Sequence, residues 1–367
     1  MKNIKLHLFL SATFLLLTGC STVPYTQTEQ TEHARTENGR LYQELAPGCV
    51  TAEEYNYLTG IWNSGQDSLA LQIPLCKATS HLLNQTKRNS FTVVGLDGNE
   101  ETEAESEKDE KPPKDHELHT YAGYTLCYRE SYEQSEWVAY SLTRSQLEHK
   151  VTGRTNDFRA DTLISTGSAK PADYKGSGFD RGHLAPAADM AWSLKSAHDS
   201  FLMSNMSPQA PSFNRVIWKL LEEAVRNWAQ QYGTIYVVTG PVLEKESNEY
   251  QSIGESEVAV PEYFYKALLV FIPVYAESNS STEANLAQGI NLAPYAISSA
   301  NEKEIEAYRV QCAAFIVPNK GSGKDIYKFI CSVDLAEEKT GLDFFANLPD
   351  EVENLAESEC GEIFLEP

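Results

Sequence analysis

The sequence contains no Cys-x-x-Cys pair, which argues against a structural zinc site built on thiolates. It is short of positive charge: 30 Lys and Arg stand against 52 Asp and Glu, a formal net charge of −22. Such a balance argues against tight, salt-driven binding of nucleic acid over a broad surface. It leaves room for one local site that holds a few phosphates with the help of a metal ion. The apolar run at 6–17 is too short to span a bilayer. No internal repeat is present. Strand-like and helix-like segments do not alternate regularly, which points to an α+β fold rather than a doubly wound sheet. Hydrophobic residues make up 41% and aromatic residues 10%, enough for a substantial core in a 367-residue chain, as one large domain or two small ones.

The N-terminus has the layout of an export signal. Lys2 and Lys5 precede the apolar run, which ends in Leu17-Thr18-Gly19-Cys20. That tetrapeptide is similar to a bacterial lipobox, so residues 1–19 are expected to be a lipoprotein signal peptide and Cys20 the acylated first residue of the mature chain. A covalent lipid anchors a chain to a membrane without spanning it. With Ser21 rather than Asp next, the outer membrane is the expected address, on its periplasmic or cell-surface face. Loss of Lys2 and Lys5 would take the charge from −22 to −24. Six cysteines then remain, and an even number in an exported chain suggests disulfides. Neighbourhood in sequence favours Cys312–Cys331 and Cys49–Cys76.

Residues 20–40 are polar and Thr-rich and read as a disordered tether. Residues 41–96 carry apolar clusters and two cysteines, consistent with a small N-terminal extension without a chemical motif. Residues 97–117 hold ten acidic residues, three lysines and Pro112-Pro113, an acidic linker. The main domain is expected over 118–367. Residues 121–128 and 137–142 read as a hairpin, and 150–180 as loop. A helix is expected over 213–232, from the spacing of Val216, Ile217, Leu220, Leu221, Ala224, Val225 and Trp228, with Ser212 as cap and Gly233 as stop. Strands are expected at 234–240, 263–272, 313–317 and 327–333, a polar loop at 277–289, and a short helix at 335–340.

The densest polar chemistry lies between Gly178 and Glu222. It comprises Asp180-Arg181-Gly182-His183, then Ser204-Asn205-Met206-Ser207-Pro208-Gln209, then Asn214 and Glu222. Phosphodiester hydrolysis needs a base to activate water, a cation to neutralise the phosphate, and stabilisation of the leaving oxygen. His183 suits the base and Arg181 the phosphate. Gly182 would let backbone approach the substrate. The carboxamide oxygen of Asn214 suits Mg²⁺. In an ideal α-helix Asn214 and Glu222 stand about 80° and about 12 Å apart, too far for one ion to be ligated by both. A single protein ligand with oriented waters is the more natural arrangement.

These segments, with Trp137-Val138-Ala139-Tyr140, Asp173-Tyr174, Thr239-Gly240-Pro241, Lys339-Thr340-Gly341-Leu342 and Leu348-Pro349-Asp350, resemble the DNA/RNA non-specific endonuclease family. The resemblance runs over roughly 121–355. It implies a ββα-metal, or His-Me finger, core on a mainly antiparallel sheet with flanking helices. It implies sugar- and sequence-nonspecific cleavage of DNA and RNA with 5'-phosphate products. Mg²⁺ would be the cofactor, with Mn²⁺ as a substitute. The family pattern makes His183 the general base, Asn214 the metal ligand and Glu222 the orienter of water. Arg181 and Asn205 become phosphate-binding or site-organising groups. Outside the family pattern, Gln209 of the motif block stands evenly between a substrate contact and a structural role. A further phosphate-binding arginine falls on Arg154 or Arg159, with the register open. Oligomeric state is open too, a homodimer included.

Blander readings stand beside these. Asn214 at a helix start would serve as a cap, Glu222 as a solvated carboxylate, Arg181 as the ion-pair partner of Asp180, and Asn205 as a buried backbone clasp. His81, His116, His119, His149 and His198 lack an ordered motif and read as structural. Two other functions compete with the polymer nuclease: a surface-binding lipoprotein on a degenerate scaffold, and a hydrolase of small phosphodiesters.

Overall fold

The computed structural model describes residues 36–37, 40–41, 48–52, 54–56, 115–275 and 305–365. The signal peptide, Cys20, most of the tether and the extension, residues 97–114 of the acidic linker and the 277–289 loop lie outside the described residues.

The fold is α+β. Two small hairpins aside (Thr36–Glu37 with Arg40–Leu41, and Ser252–Ile253 with Val258–Ala259), the strands among the described residues are, in chain order, β1 (Cys49–Thr51), β2 (His116–Thr120), β3 (Thr125–Arg129), β4 (Gln134–Thr143), β5 (Asp180–His183), β6 (Met206–Gln209), β7 (Thr234–Pro241), β8 (Tyr263–Tyr275), β9 (Ile305–Pro318) and β10 (Ile330–Cys331). Eight of them form one antiparallel sheet in the order β10-β9-β8-β7-β4-β3-β2, with β1 beside β10 on the outer edge of β9. Thus Cys49–Thr51, from the segment read as an extension, joins the main sheet, and His116 and Glu117 of the acidic linker already belong to β2. The helices are α1 (Arg144–Glu148), α2 (Leu194–Asp199), α3 (Lys219–Tyr232), α4 (Val333–Thr340) and α5 (Asp350–Ser358).

The central strand β8 is almost wholly apolar because both faces of the sheet are covered. Phe264, Leu268 and Val270 enter a core with Phe213, Ile217, Leu221, Val225 and Trp228 of the α3 side. Tyr265, Ala267, Leu269 and Phe271 enter a second core with Val333, Ala336, Leu342, Phe344 and Val352 of the α4–α5 side. By the period of two, Lys266 falls on the α3 face, fully buried.

Beside the α3 face, β5 and β6 pair antiparallel, with Asp180 opposite Gln209 and His183 opposite Met206. Together with the following helix they make a ββα unit. That helix departs from the ideal one expected. Phe213–Trp218 is a π-helical stretch that leads into α3. Ser212 does not cap it: the N–H groups of Phe213 and Asn214 both donate to the carbonyl of Ala210, so the helix starts earlier, with Pro211 in its first turn. Gly233, at φ 93°, ends α3 as expected, donating to the Ala229 carbonyl.

Residues 327–333 are not one strand. Asp325 accepts from the Tyr327 N–H and opens a 3-10 turn, and Ser332 accepts from the Leu335 N–H and starts α4, so local caps leave only Ile330–Cys331 extended. The expected cysteine pairs do not form: Cys49, Cys312 and Cys331 are free thiols, whereas Cys360 is disulfide-bonded. Cys331 lies opposite Ala314, which makes it a diagonal neighbour of Cys312. Diagonal residues stand about 7–8 Å apart, beyond ordinary disulfide reach.

Candidate active site

A cleft of about 790 Å³ opens beside β5 and the start of the π-helical segment. Its walls include Asp180, Arg181 and His183 from β5, Asn214, Arg215, Lys219 and Glu222 from the helix, and Lys150, Arg154 and Phe158 from the loop before β5. Five cations therefore face one space, against Asp180 and Glu222, in a chain of net charge −22.

His183 is 9% exposed, with its ring against Phe201 (5.0 Å, edge-on) and Phe158 (5.6 Å). Its Nε2 is buried without a hydrogen-bond partner among the described residues. Burial pushes its pKa down to about 3, and Arg154 and Arg181 add to the effect. The imidazole is therefore neutral, with one ring nitrogen unprotonated.

Asp180 decides how Asn214 points. It takes a bidentate pair from Arg215, at 2.8 and 2.6 Å, and accepts from Asn214 Nδ2 at 3.0 Å. The Arg215 hydrogen bond holds the Asp180 carboxyl below its usual range, so it stays an acceptor. With the amide NH₂ engaged, the Asn214 Oδ1 remains available to the cleft, a hard oxygen suited to a divalent cation. Arg181 is not the partner of Asp180. Its guanidinium lies 4.2 Å from the Phe158 ring centroid, which holds it in place and leaves its donors for an anion.

The π-helical stretch also revises the spacing argument. An i→i+5 turn holds more residues than an α-turn. The eight positions from Asn214 to Glu222 therefore come nearer to two whole turns, and both side chains line the same cleft.

The two arginines before β5 separate. Arg154 lines the cleft, whereas Arg159 is tied to Asp157 and to the carbonyl and Nδ1 of His198, away from it. Asn205 and Gln209 do not line the cleft. Asn205 is fully buried; its Oδ1 accepts from the Ala185 N–H and its Nδ2 donates to the Ala185 and Ser200 carbonyls. It clasps the backbone just after His183 and is a positioning residue, not a catalytic contact. Gln209 is buried over Gly182, where an added Cβ would meet its Cδ at 2.1 Å. Gln209 packing thus leaves no room for a Cβ at residue 182, and Gln209 itself does not line the cleft.

Sequence reasoning missed a buried charge set behind Glu222. Arg226 pairs with Asp189 at 2.8 Å, and Tyr140 donates to the same carboxylate at 3.1 Å. Lys266 is fully buried, with its Nζ 4.8 Å from the Trp218 ring centroid. Burial raises the Glu222 pKa, with Lys266 opposing and Asp189 adding to the rise. Arg226 sits four residues after Glu222 and was within reach of a helix-spacing argument. Asp189 and Lys266 are brought in from distant segments and were not.

Comparison with known proteins fits this geometry. A family model described as DNA/RNA non-specific endonuclease matches residues 103–351. The chain belongs to that family. Human mitochondrial endonuclease G is 39% identical over 162 residues, which is 42% of this chain and 54% of that protein. Mitochondrial nuclease EXOG of Danio rerio is 30% identical over 247 residues, 65% of this chain and 63% of that protein. A nuclease of a Nostoc species is 30% identical over 240 residues, 64% of this chain and 75% of that protein. A chain in the crystal structure of the EndoG/EndoGI complex, solved for the mechanism of EndoG inhibition, superposes with a TM-score of 0.50 at 26% identity. The match covers 63% of this chain and 86% of that one. The chain thus spans about half of human endonuclease G and under two thirds of EXOG.

Proposed function

We propose that the protein is an endonuclease that hydrolyses phosphodiester bonds of DNA and RNA without regard to sequence, leaving 5'-phosphate ends. One observation carries this reading: a neutral, buried His183 shares a cleft with five cations and with an asparagine oriented by Asp180. His183 takes the proton of the attacking water. Arg181 and Arg154 hold the non-bridging phosphate oxygens, and Glu222 orients water in the cleft. Contacts of this kind read charge and not base edges, which is why no sequence preference is expected. The residues fit a divalent cation, Mg²⁺ or Mn²⁺ in its place, because Asn214 presents a hard oxygen and Mg²⁺ needs few protein ligands. When bound by Asn214, the cation neutralises charge that builds up on the phosphate.

Purified protein should degrade plasmid DNA and RNA with Mg²⁺, stop in EDTA, and lose nearly all activity as His183→Ala. Full activity in that variant would defeat the proposal. The reading includes export and lipid attachment at Cys20 to a bacterial membrane, the outer membrane first, facing the periplasm or the cell surface. The motif Leu17-Thr18-Gly19-Cys20 supports it. Mass spectrometry of the mature N-terminus should find an acylated Cys20, and Cys20→Ser should move the protein to the soluble fraction.

A further inference from the structure

On the sheet face opposite α3, α4 and α5 enclose a group of carboxylates with no part in the cleft. Asp334, Glu337 and Glu357 each bring one carboxylate oxygen within 4.8 Å of the others. They grade from exposed Asp334 through half-buried Glu337 to buried Glu357. Glu357 is 4% exposed, and its Oε1 is buried without a hydrogen-bond partner. Among the described residues, none of the three forms an ion pair with a Lys, Arg or His. Glu357 also sits in the last turn of α5, where the helix's own carbonyl ends are negative. An unpaired carboxylate there is costly unless something positive meets it.

We propose that Asp334, Glu337 and Glu357 form a structural site for a divalent cation of the calcium type, separate from the Asn214 cleft and independent of the nuclease reading. Asp334 and Glu337 lie three residues apart on α4 and share a face. Glu337 spends one oxygen on the Phe344 N–H, which fixes the loop after α4 and leaves the other for the ion. Three carboxylate oxygens that lie within 4.8 Å of one another can meet one divalent ion, and a set of three carboxylates suits Ca²⁺, which takes many oxygen ligands in flexible geometry, better than Mg²⁺, which keeps its waters and uses one or two. Glu353, whose Oε1 is likewise buried and unpartnered, adds negative charge beside the three. The site would pin α4 to α5 over Cys312 of β9.

The test is thermal unfolding of the chelator-treated full chain with Ca²⁺ alone and with Mg²⁺ alone. Ca²⁺ at about ten times its Kd should raise Tm by roughly 3–6 °C. The rise should persist in Asn214→Ala and vanish in Glu357→Gln. Asp334→Asn, at an exposed position, repeats the test should Glu357→Gln fold poorly. Calorimetry should count one Ca²⁺ per chain outside the cleft. No shift in the wild type, an equal shift in both carboxylate variants, or a Mg²⁺ effect matching that of Ca²⁺ would each overturn the assignment.

Discussion

The α3 face and the α4–α5 face of the sheet handle charge in opposite ways. The cleft beside the first collects five cations around one histidine, with Asp180 paired to Arg215 and the charge of Glu222 opposed by the field of Lys266. The second collects Asp334, Glu337, Asp343, Glu353 and Glu357, whose burial and mutual repulsion push Glu337 and Glu353 up to about 7 and Glu357 up to about 10. Net charge therefore says little about a site. A chain at −22 still builds a positive cleft, because local placement and not the sum sets the field where a phosphate would sit.

The contrast breaks most sharply at His183. His183→Ala should cut plasmid-cleavage kcat by about 10²–10⁴-fold with an unchanged circular dichroism spectrum. No substitution on the α4–α5 face should come near that. Asp180→Ala is next. It frees Asn214 and Arg215 together, and the Mg²⁺ concentration needed for half-maximal cleavage should rise about 10–100-fold. Lys266→Met tests the buried set behind the cleft. Removing that cation takes away the effect that holds the Glu222 pKa down, so the acid limb of the kcat/KM profile should move up by about 1–3 pH units. An unmoved limb would mean that Lys266 only fills space.

The smallest effect is the sign of stability against pH, measured in chelator. His183 titrates near 3 when folded and 6.5 when unfolded, so its share of stability is present above 6.5 and lost as pH falls toward 3. Glu357 titrates near 10 when folded and 4.5 when unfolded, so its share is full below 4.5 and lost as pH rises toward 10. Glu357→Gln should therefore flatten the decline of denaturant midpoint on the alkaline side and leave the acid side alone. A variant with the wild-type slope would show that another group carries it.

Much of the fold was legible in the residues. The helix ending at Gly233 and the strands β7 and β8 followed from spacing and residue type, and Asp180, Arg181 and His183, singled out in the sequence, line one cleft. What escaped was decided by contacts between distant segments. Asn205 and Gln209 sit inside the motif block, yet each turns inward: Asn205 clasps Ala185 and Ser200, and Gln209 packs on Gly182. The choice between Arg154 and Arg159 rested on His198, 39 residues beyond Arg159, which ties that arginine down. The cysteine pairs failed because neighbourhood in sequence placed Cys312 and Cys331 on adjacent strands without placing them opposite each other.

By itself the sequence settled which groups are present, their order, and the periodic apolar faces that make a sheet and an amphipathic helix. Only the tertiary structure decided which way each polar side chain turns, because orientation depends on partners such as Asp180 and Arg215 that meet across folded segments. It also brought Lys266 beside Glu222 and the α4 carboxylates beside Glu357. Charges far apart in the chain interact strongly only once folding has brought them close and taken them out of water.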